Sequence, residues 1–366
     1  MAGFCGHRLN VKFWLLKVHP KQATRENCRE KLTFNKKFLA FVFLSVLLLA
    51  SSAAADKTIP AQPLTASLTH FNVPDGSTLA ARVWNNAKPQ RVVLGVHGFN
   101  DYSKSFERLA QHLVAETQAT VYAYDQRGFG ANPKPGVWPG SQALIDDLRH
   151  IAAQLRERHP DLPLTVIGES MGGAVLLIAA SEKPGIEADQ LILKAPAVWG
   201  AQSMPFYQRL SLYAMNLIAP EMSFTGRGLS SLGIRPTDDP EVSRDLSRDP
   251  LVIKATRVSS LAGLTELMGR AQTLTNLPPQ RTLLLYGLHD KIIPQQPVCD
   301  WLTNLNSAAS VALKSDVVIY KEGWHMLTRQ LSARETLEDL GQWIQNFPQT
   351  HLLNLFQAQQ IVCKVK

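Results

Sequence analysis

One hexapeptide in the 366 residues has the residue types and spacing to make a nucleophile: Gly168-Glu169-Ser170-Met171-Gly172-Gly173. It follows the apolar run Leu164-Thr165-Val166-Ile167 and precedes a helix-like run over 174–180. Strand, sharp turn and helix with a serine at the apex make a nucleophile elbow. The flanking glycines let the backbone crowd a residue held in a strained conformation. The turn lifts the serine hydroxyl clear of the sheet. The helix behind it offers free N–H groups to a developing negative charge.

A serine hydroxyl is a poor nucleophile at neutral pH. It needs a base within hydrogen-bond reach, and the base needs an orienting acid. After an elbow these partners follow along the chain as acid, then base. Leu283-Leu284-Leu285-Tyr286-Gly287-Leu288-His289-Asp290 is a strand running into a turn, with Asp290 just beyond its end. Ile319-Tyr320-Lys321-Glu322-Gly323-Trp324-His325 repeats that design with a histidine. Ser170, Asp290 and His325 are therefore the expected catalytic residues. Asp290 has a plainer alternative as the cap of a turn or of a helix beginning near Pro294. Asp300 is a rival acid, but it falls within that helix. His289 is the rival base, but it precedes the acid. The oxyanion of a tetrahedral intermediate needs two donors. The N–H of Met171 supplies one, and the N–H of Phe99, in the loop His97-Gly98-Phe99-Asn100, supplies the other. His97 itself reads as a structural histidine of that loop.

These residues need a scaffold that collects strand ends. Strands are expected over 65–73 and 78–84, flanking the turn Pro74-Asp75-Gly76. Further strands are expected over 91–96, 120–125, 164–167, 190–198, 281–287 and 316–320. Helical spacing covers 103–118, 141–159 and 332–347. Near-continuously apolar strands alternating with helices imply a mostly parallel sheet covered on both faces. The alternation breaks over about 199–278, an insertion that reads as a cap above the C-terminal edge of the sheet. Within it Phe206, Leu210, Tyr213 and Leu217 form an apolar stripe at helical spacing. The stripe is a candidate wall for an acyl chain, with plain packing against the main domain as the alternative. The folded body is expected over 60–348, and the tail 349–366 has no assignment.

Hydrophobic residues make up 45% of the chain and charged ones 19%, as in a globular protein. The net charge of +8 is concentrated at the front: residues 1–37 hold nine Lys/Arg and two Asp/Glu, so the remainder carries only +1. Nucleic acid is therefore not an expected partner. Phe38–Ala55 is an uncharged stretch ending in Ala53-Ala54-Ala55, and its apolar core over 38–50 is short for a membrane span. Residues 1–55 read as a basic leader with a cleaved export signal, the true start lying further along. The alternative is an uncleaved membrane anchor through 38–55. Export to the cell envelope or the exterior is the favoured expectation. Cys299 and Cys363 could pair in an oxidising compartment or stand as separate thiols. No metal-ligand spacing such as Cys-x-x-Cys occurs, and no metal is expected.

With these residues in place, the chain resembles the monoacylglycerol lipase and lysophospholipase group of α/β-hydrolases, a serine aminopeptidase-type family. The resemblance runs through most of 65–345. It is carried by the run His159-Pro160-Asp161-Leu162-Pro163-Leu164 leading to the elbow, and by Asp125-Gln126-Arg127-Gly128-Phe129-Gly130. Ala195-Pro196-Ala197, Asp249-Pro250-Leu251-Val252 and Gly287-x-x-Asp290 add to it. It implies the α/β-hydrolase fold with a mobile helical cap, acyl-ester hydrolysis on a small lipid substrate and no cofactor. It also implies nucleophile Ser170, acid Asp290, base His325 and oxyanion donors Phe99 and Met171. Amide or thioester hydrolysis with the same triad is the alternative, and a non-catalytic binding protein on the same fold is a third reading. The chain departs from the family pattern at Glu169, where many relatives carry histidine. It departs again at Asn100-Asp101-Tyr102 after the oxyanion loop, and at Ala131-Asn132.

Overall fold

The computed structural model describes residues 64–226, 233–307 and 315–364. The expected leader and apolar segment, 1–55, lie outside the described residues. Eight strands form the main sheet: β1 (Ser67–Asn72), β2 (Thr78–Trp84), β3 (Arg91–Val96), β4 (Ala119–Tyr124), β5 (Leu164–Glu169), β6 (Gln190–Lys194), β9 (Arg281–Gly287) and β10 (Ser315–Tyr320). Their order across the sheet is β1-β2-β4-β3-β5-β6-β9-β10. The pair β1–β2 and the pair β2–β4 are antiparallel, and every other pairing is parallel. The turn at Pro74-Asp75-Gly76 closes the first hairpin, with Gly76 at φ 82 and the Ser77 N–H donating to the Asp75 carboxylate at 2.9 Å.

Strand alternation divides the core. On β3, Val92, Leu94 and Val96 face one side and Val93 the other; on β9, Leu284 and Tyr286 oppose Leu283 and Leu285. One face is covered by α2 (Ser141–Arg158), α3 (Met171–Ser181), α6 (Val258–Thr273), α7 (Gln295–Ser307) and α9 (Leu355–Val362). The other is covered by α1 (Glu107–Thr117) and α8 (Ala333–Ile344). Burial on both faces explains why these strands read as continuous apolar runs.

The insertion holds α4 (Phe206–Ile218), α5 (Pro240–Arg248), α6 and a two-stranded ribbon of β7 (Ser223–Thr225) and β8 (Ala255–Arg257). Its last helix, α6, is part of the main core through Leu264, Leu267, Met268 and Ala271. Two expectations change. The strand over 190–198 ends at Lys194, because Ala195 takes φ 45 and its N–H donates to the Leu285 carbonyl. That bend turns the chain across the elbow. The unassigned tail is ordered over its described residues. Leu353 pairs with Val317, Asn354 caps α9, and Cys363 is disulfide-bonded to Cys299 on α7.

Candidate active site

Ser170 lies between β5 and α3 with φ 54 and ψ −116. A non-glycine residue in that region carries strain of about 1–3 kcal/mol and persists only where its surroundings over-determine it. They do here. The Ser170 N–H donates to the Lys194 carbonyl at 3.0 Å, and its carbonyl accepts from Ala197 at 3.0 Å and Ala174 at 3.1 Å. The flanking glycines are required by contact. A Cβ on Gly168 would meet the Gly172 carbonyl, and one on Gly172 would meet the Val96 carbonyl. A Cβ on Gly98 would stand 3.3 Å from that of Ser170, so the loop after β3 lies directly against the nucleophile.

Asp290 and His325 come together at the ends of β9 and β10. The two strand-end loops are zipped by Leu288 N–H to the Tyr320 carbonyl and His289 N–H to the Gly323 carbonyl, both 2.9 Å. The closeness depends on Gly287, whose Cβ would collide with the Gly323 backbone. The His325 Nδ1–H donates to Asp290 Oδ2 at 2.7 Å. The other oxygen, Oδ1, accepts from Ile292 N–H at 2.8 Å and Ile293 N–H at 2.9 Å. The two roles weighed for Asp290, turn cap and partner of the base, are thus held at once by different oxygens. With Nδ1 engaged, Nε2 is the nitrogen left to take a proton.

The rivals are elsewhere. His289 is half-exposed, stacks edge-on against Trp324, and lies 3.5 Å from Glu322. Asp300 sits on α7 and accepts from Gln296. His97 is structural: its Nδ1–H donates to the Gly98 carbonyl at 2.8 Å and its Nε2 accepts from the Gln126 N–H at 2.9 Å. Burial holds its imidazole below the usual range, hence neutral.

The expected oxyanion donors are the N–H groups of Met171 and Phe99. The first N–H groups of α3, beginning with Met171, have no acceptor inside the helix. Phe99 follows Gly98 on the loop that touches Ser170, and its ring packs against Phe129 and Trp138. The insertion grips this loop. The Asn100 carbonyl accepts from Ile253 N–H at 2.9 Å, the Asn100 amide donates to Thr256 at 2.6 Å, and Tyr102 OH donates to Asp249 at 2.6 Å. The segment Asp249-Pro250-Leu251-Val252 therefore helps to hold the oxyanion loop. The same insertion holds the loop of the base, through Met326 N–H to the Pro236 carbonyl at 2.9 Å and Thr237 to the Arg329 carbonyl at 2.6 Å.

One feature escaped sequence reasoning. Glu169, next to the nucleophile, is buried with Lys194 Nζ at 3.4 Å and Arg329 Nη2 at 3.3 Å, and Arg329 reaches Asp101 at 2.8 Å. Burial pushes the Glu169 carboxyl up, but Lys194 and Arg329 outweigh it and hold it below its usual range. A lysine closing the apolar strand Leu191-Ile192-Leu193, one strand from the elbow, was the available signal.

The stripe of the insertion faces outward. Phe206, Leu210, Tyr213 and Leu217 on α4 are 62–74% exposed, so they do not pack the helix onto the main domain. Among the described residues no helix is long and apolar enough to cross a membrane.

Comparison with known proteins agrees with this geometry. The sequence profile of the family described as serine aminopeptidase, S33, matches residues 87–331. The chain is 24% identical over 315 residues to the monoglyceride lipase of Homo sapiens, covering 81% of this chain and 94% of that protein. It is 25% identical over 275 residues to the monoacylglycerol lipase of Mycolicibacterium smegmatis, covering 74% and 93%. Its fold matches a soluble variant of the monoglyceride lipase of Saccharomyces cerevisiae with a TM-score of 0.64 at 20% identity, over 81% of this chain and all of that one. The elbow, the strand order and the profile over most of the folded body lead to one conclusion: this chain belongs to the serine aminopeptidase S33 family of α/β-hydrolases.

Proposed function

We propose that the protein hydrolyses carboxylic esters of a single fatty acyl chain, of the monoacylglycerol or lysophospholipid type, through an acyl-enzyme. The observation that carries this is that a strained Ser170 after β5 and the Asp290–His325 hydrogen bond after β9 and β10 stand at the C-terminal ends of parallel strands of one sheet. Ser170 Oγ attacks the ester carbonyl while His325 Nε2 takes its proton, and Asp290 stabilises the imidazolium. The oxyanion receives the N–H groups of Met171 and Phe99. His325 then returns the proton to the leaving alcohol. Water attacks the acyl-enzyme by the same route and releases the fatty acid.

The chemistry around the elbow weighs against an aminopeptidase. Binding a substrate's free amine takes an available carboxylate. Glu169 and Asp101, which stand beside the elbow and on the oxyanion loop, are each already paired to a buried cation. The relatives named monoglyceride lipase support the ester reading. The exposed apolar face of α4 supports contact with a lipid surface, from which an acyl chain would pass along Phe206, Leu210, Tyr213 and Leu217 toward Ser170. The Cys299–Cys363 disulfide supports an oxidising compartment, in keeping with an export signal over 38–55.

The deciding experiment is turnover on a panel of monoacylglycerols, lysophospholipids, short p-nitrophenyl esters and aminoacyl amides, alongside fluorophosphonate labelling. Ester turnover with labelling at Ser170 is the expected result. Faster cleavage of aminoacyl amides than of every ester would overturn the ester assignment. N-terminal sequencing of the mature native protein tests export: a start near Asp56 is expected, and an intact leader would mean an anchor.

A further inference from the structure

Four buried charges meet beside Ser170, three from the catalytic parts and one from the neighbouring strand β6. Glu169 is the last residue of β5, adjacent to Ser170. Lys194 is the last residue of β6, and its carbonyl holds the Ser170 N–H. Arg329 lies four residues beyond His325, in the short 3-10 turn Leu327–Arg329. Asp101 is two residues beyond Phe99 on the oxyanion loop. All four are buried. Glu169 faces Lys194 at 3.4 Å and Arg329 at 3.3 Å, and Arg329 faces Asp101 at 2.8 Å. Lys194 Nζ also donates to Thr328 at 2.6 Å and lies 5.4 Å from the centre of the Phe106 ring. Burial pulls the Lys194 ammonium below its usual range, with the Glu169 carboxylate opposing; with Lys194 charged, two carboxylates face two cations and the cluster carries no net charge.

We propose that Glu169, Lys194, Arg329 and Asp101 are positioning residues for the reaction: a charge-neutral brace that locks nucleophile strand, base loop and oxyanion loop together, and whose neutrality sets the field felt by His325. The idea rests on the serine-hydrolase reading of the site. Buried ion pairs owe their persistence to complete pairing, and removing one partner strands the other's charge in a low-dielectric site. An unpaired charge within about 10 Å, at an effective dielectric near 20, moves a titration by roughly one pH unit. His325 also faces Asp290 at 2.7 Å and interacts with Glu169. On the far side of Glu169 stands His97, kept neutral by burial. The pair His289–Glu322, and Arg235 stacked on Trp324, lie beside the base loop. None of these outer groups changes in the variants below.

The direction follows from charge. The base works when neutral, so activity falls as the pH drops and the imidazole takes a proton. Lys194→Met leaves the brace at −1, favours the imidazolium, and moves the acid limb of kcat/KM to higher pH. Asp101→Asn leaves it at +1 and moves the limb to lower pH. In Asp101→Asn/Lys194→Met the pair Glu169–Arg329 remains, and the limb returns.

The test is the pH profile of kcat/KM on p-nitrophenyl butyrate, with the rate of fluorophosphonate labelling over the same pH range, for the full chain and the three variants. Opposite shifts of about half to one pH unit in the singles, cancelling in the double, are expected. Coincident acid limbs in all folded variants, with only Tm changed, would overturn the proposal and leave a purely structural cluster. Should Lys194→Met not fold, Asp101→Asn and the double variant decide it: a downward limb in the first and a native limb in the second. Failure of the native protein to hydrolyse the ester while Ser170 still labels would sink the ester reading alone, and the labelling rates would then judge the brace.

Discussion

Ser170, Asp290 and His325 are 8%, 2% and 5% exposed, whereas Phe206, Leu210, Tyr213 and Leu217 of the cap helix α4 are 62–74% exposed. The first region is held from several directions at once. A left-handed serine is pinned by two neighbouring backbones, a carboxylate divides its oxygens between turn and imidazole, and four buried charges neutralise one another. The second region is a helix whose apolar face has been left uncovered. The contrast separates two tasks. Rigid placement lowers the barrier for any acyl group that reaches the serine. In the proposed function, the uncovered apolar face of α4 would discriminate among acyl chains and surfaces before the chemistry starts. Substitutions in the two regions should therefore differ in kind as well as in size.

The largest expected effect is Ser170→Ala, which should lower ester turnover by several orders of magnitude on every chain length while leaving Tm nearly unchanged. A fluorophosphonate should label Ser170, read by mass spectrometry of the digest. Label on another serine, or near-native turnover in the alanine variant, would remove the elbow from the mechanism. Next come His325→Ala and Asp290→Asn, each expected to lower kcat about 10⁴-fold, again independently of chain length. The controls are His289→Ala and Asp300→Asn, expected to stay within a few-fold of native. If either control costs more than the triad variants, the assignment of acid and base is wrong.

The two regions also differ in how far the sequence disclosed them. Gly-x-Ser-x-Gly is local, and each of its glycines answers to a contact seen in the structure, so the elbow could be read directly. Asp290 and His325 could be read because each directly follows an apolar strand, where an open α/β sheet gathers its functional groups. The brace could not be read in the same way. Glu169, Lys194, Arg329 and Asp101 are separated along the chain, and only the sheet order places them together. Nor could the apolar run Ala195-Pro196-Ala197-Val198 reveal the positive φ of Ala195, which ends β6 early. For α4, periodicity gave the helix but not the side that solvent sees, because both faces carry apolar residues. The tail is different, since its signal was present. Asn354 and Gln357 form a capping box three residues apart.

That tail offers a stability effect of intermediate size. The Cys299–Cys363 disulfide ties α9 to α7. A cross-link of this kind stabilises mainly by restricting the unfolded chain, by about 2–4 kcal/mol. Cys363→Ser should lower Tm by roughly 5–10 °C in a domain of this size. Its kcat below the transition should be unchanged. A matching loss of kcat at 25 °C would show that the distal end is coupled to the site, and would blur the division drawn above.

The smallest effect concerns α4, and it tests that division most sharply. Each methylene moved from water to an apolar surface is worth about 0.8 kcal/mol, or roughly four-fold in kcat/KM. If the exposed face guides an acyl chain, kcat/KM should rise with chain length to an optimum. Leu210→Ser or Leu217→Ser should then cost about ten-fold on long-chain monoacylglycerols and less than two-fold on butyrate esters. Tm should barely move, because neither side chain is packed against the core. The same variants should lose affinity for phospholipid vesicles in a flotation assay, since the face that meets the chain is the face that meets the lipid. Equal losses on short and long esters would assign α4 to the rigid region. Loss of vesicle binding with chain-length preference intact would divide the two roles, making the stripe a lipid contact and placing the acyl wall on other residues of the cap.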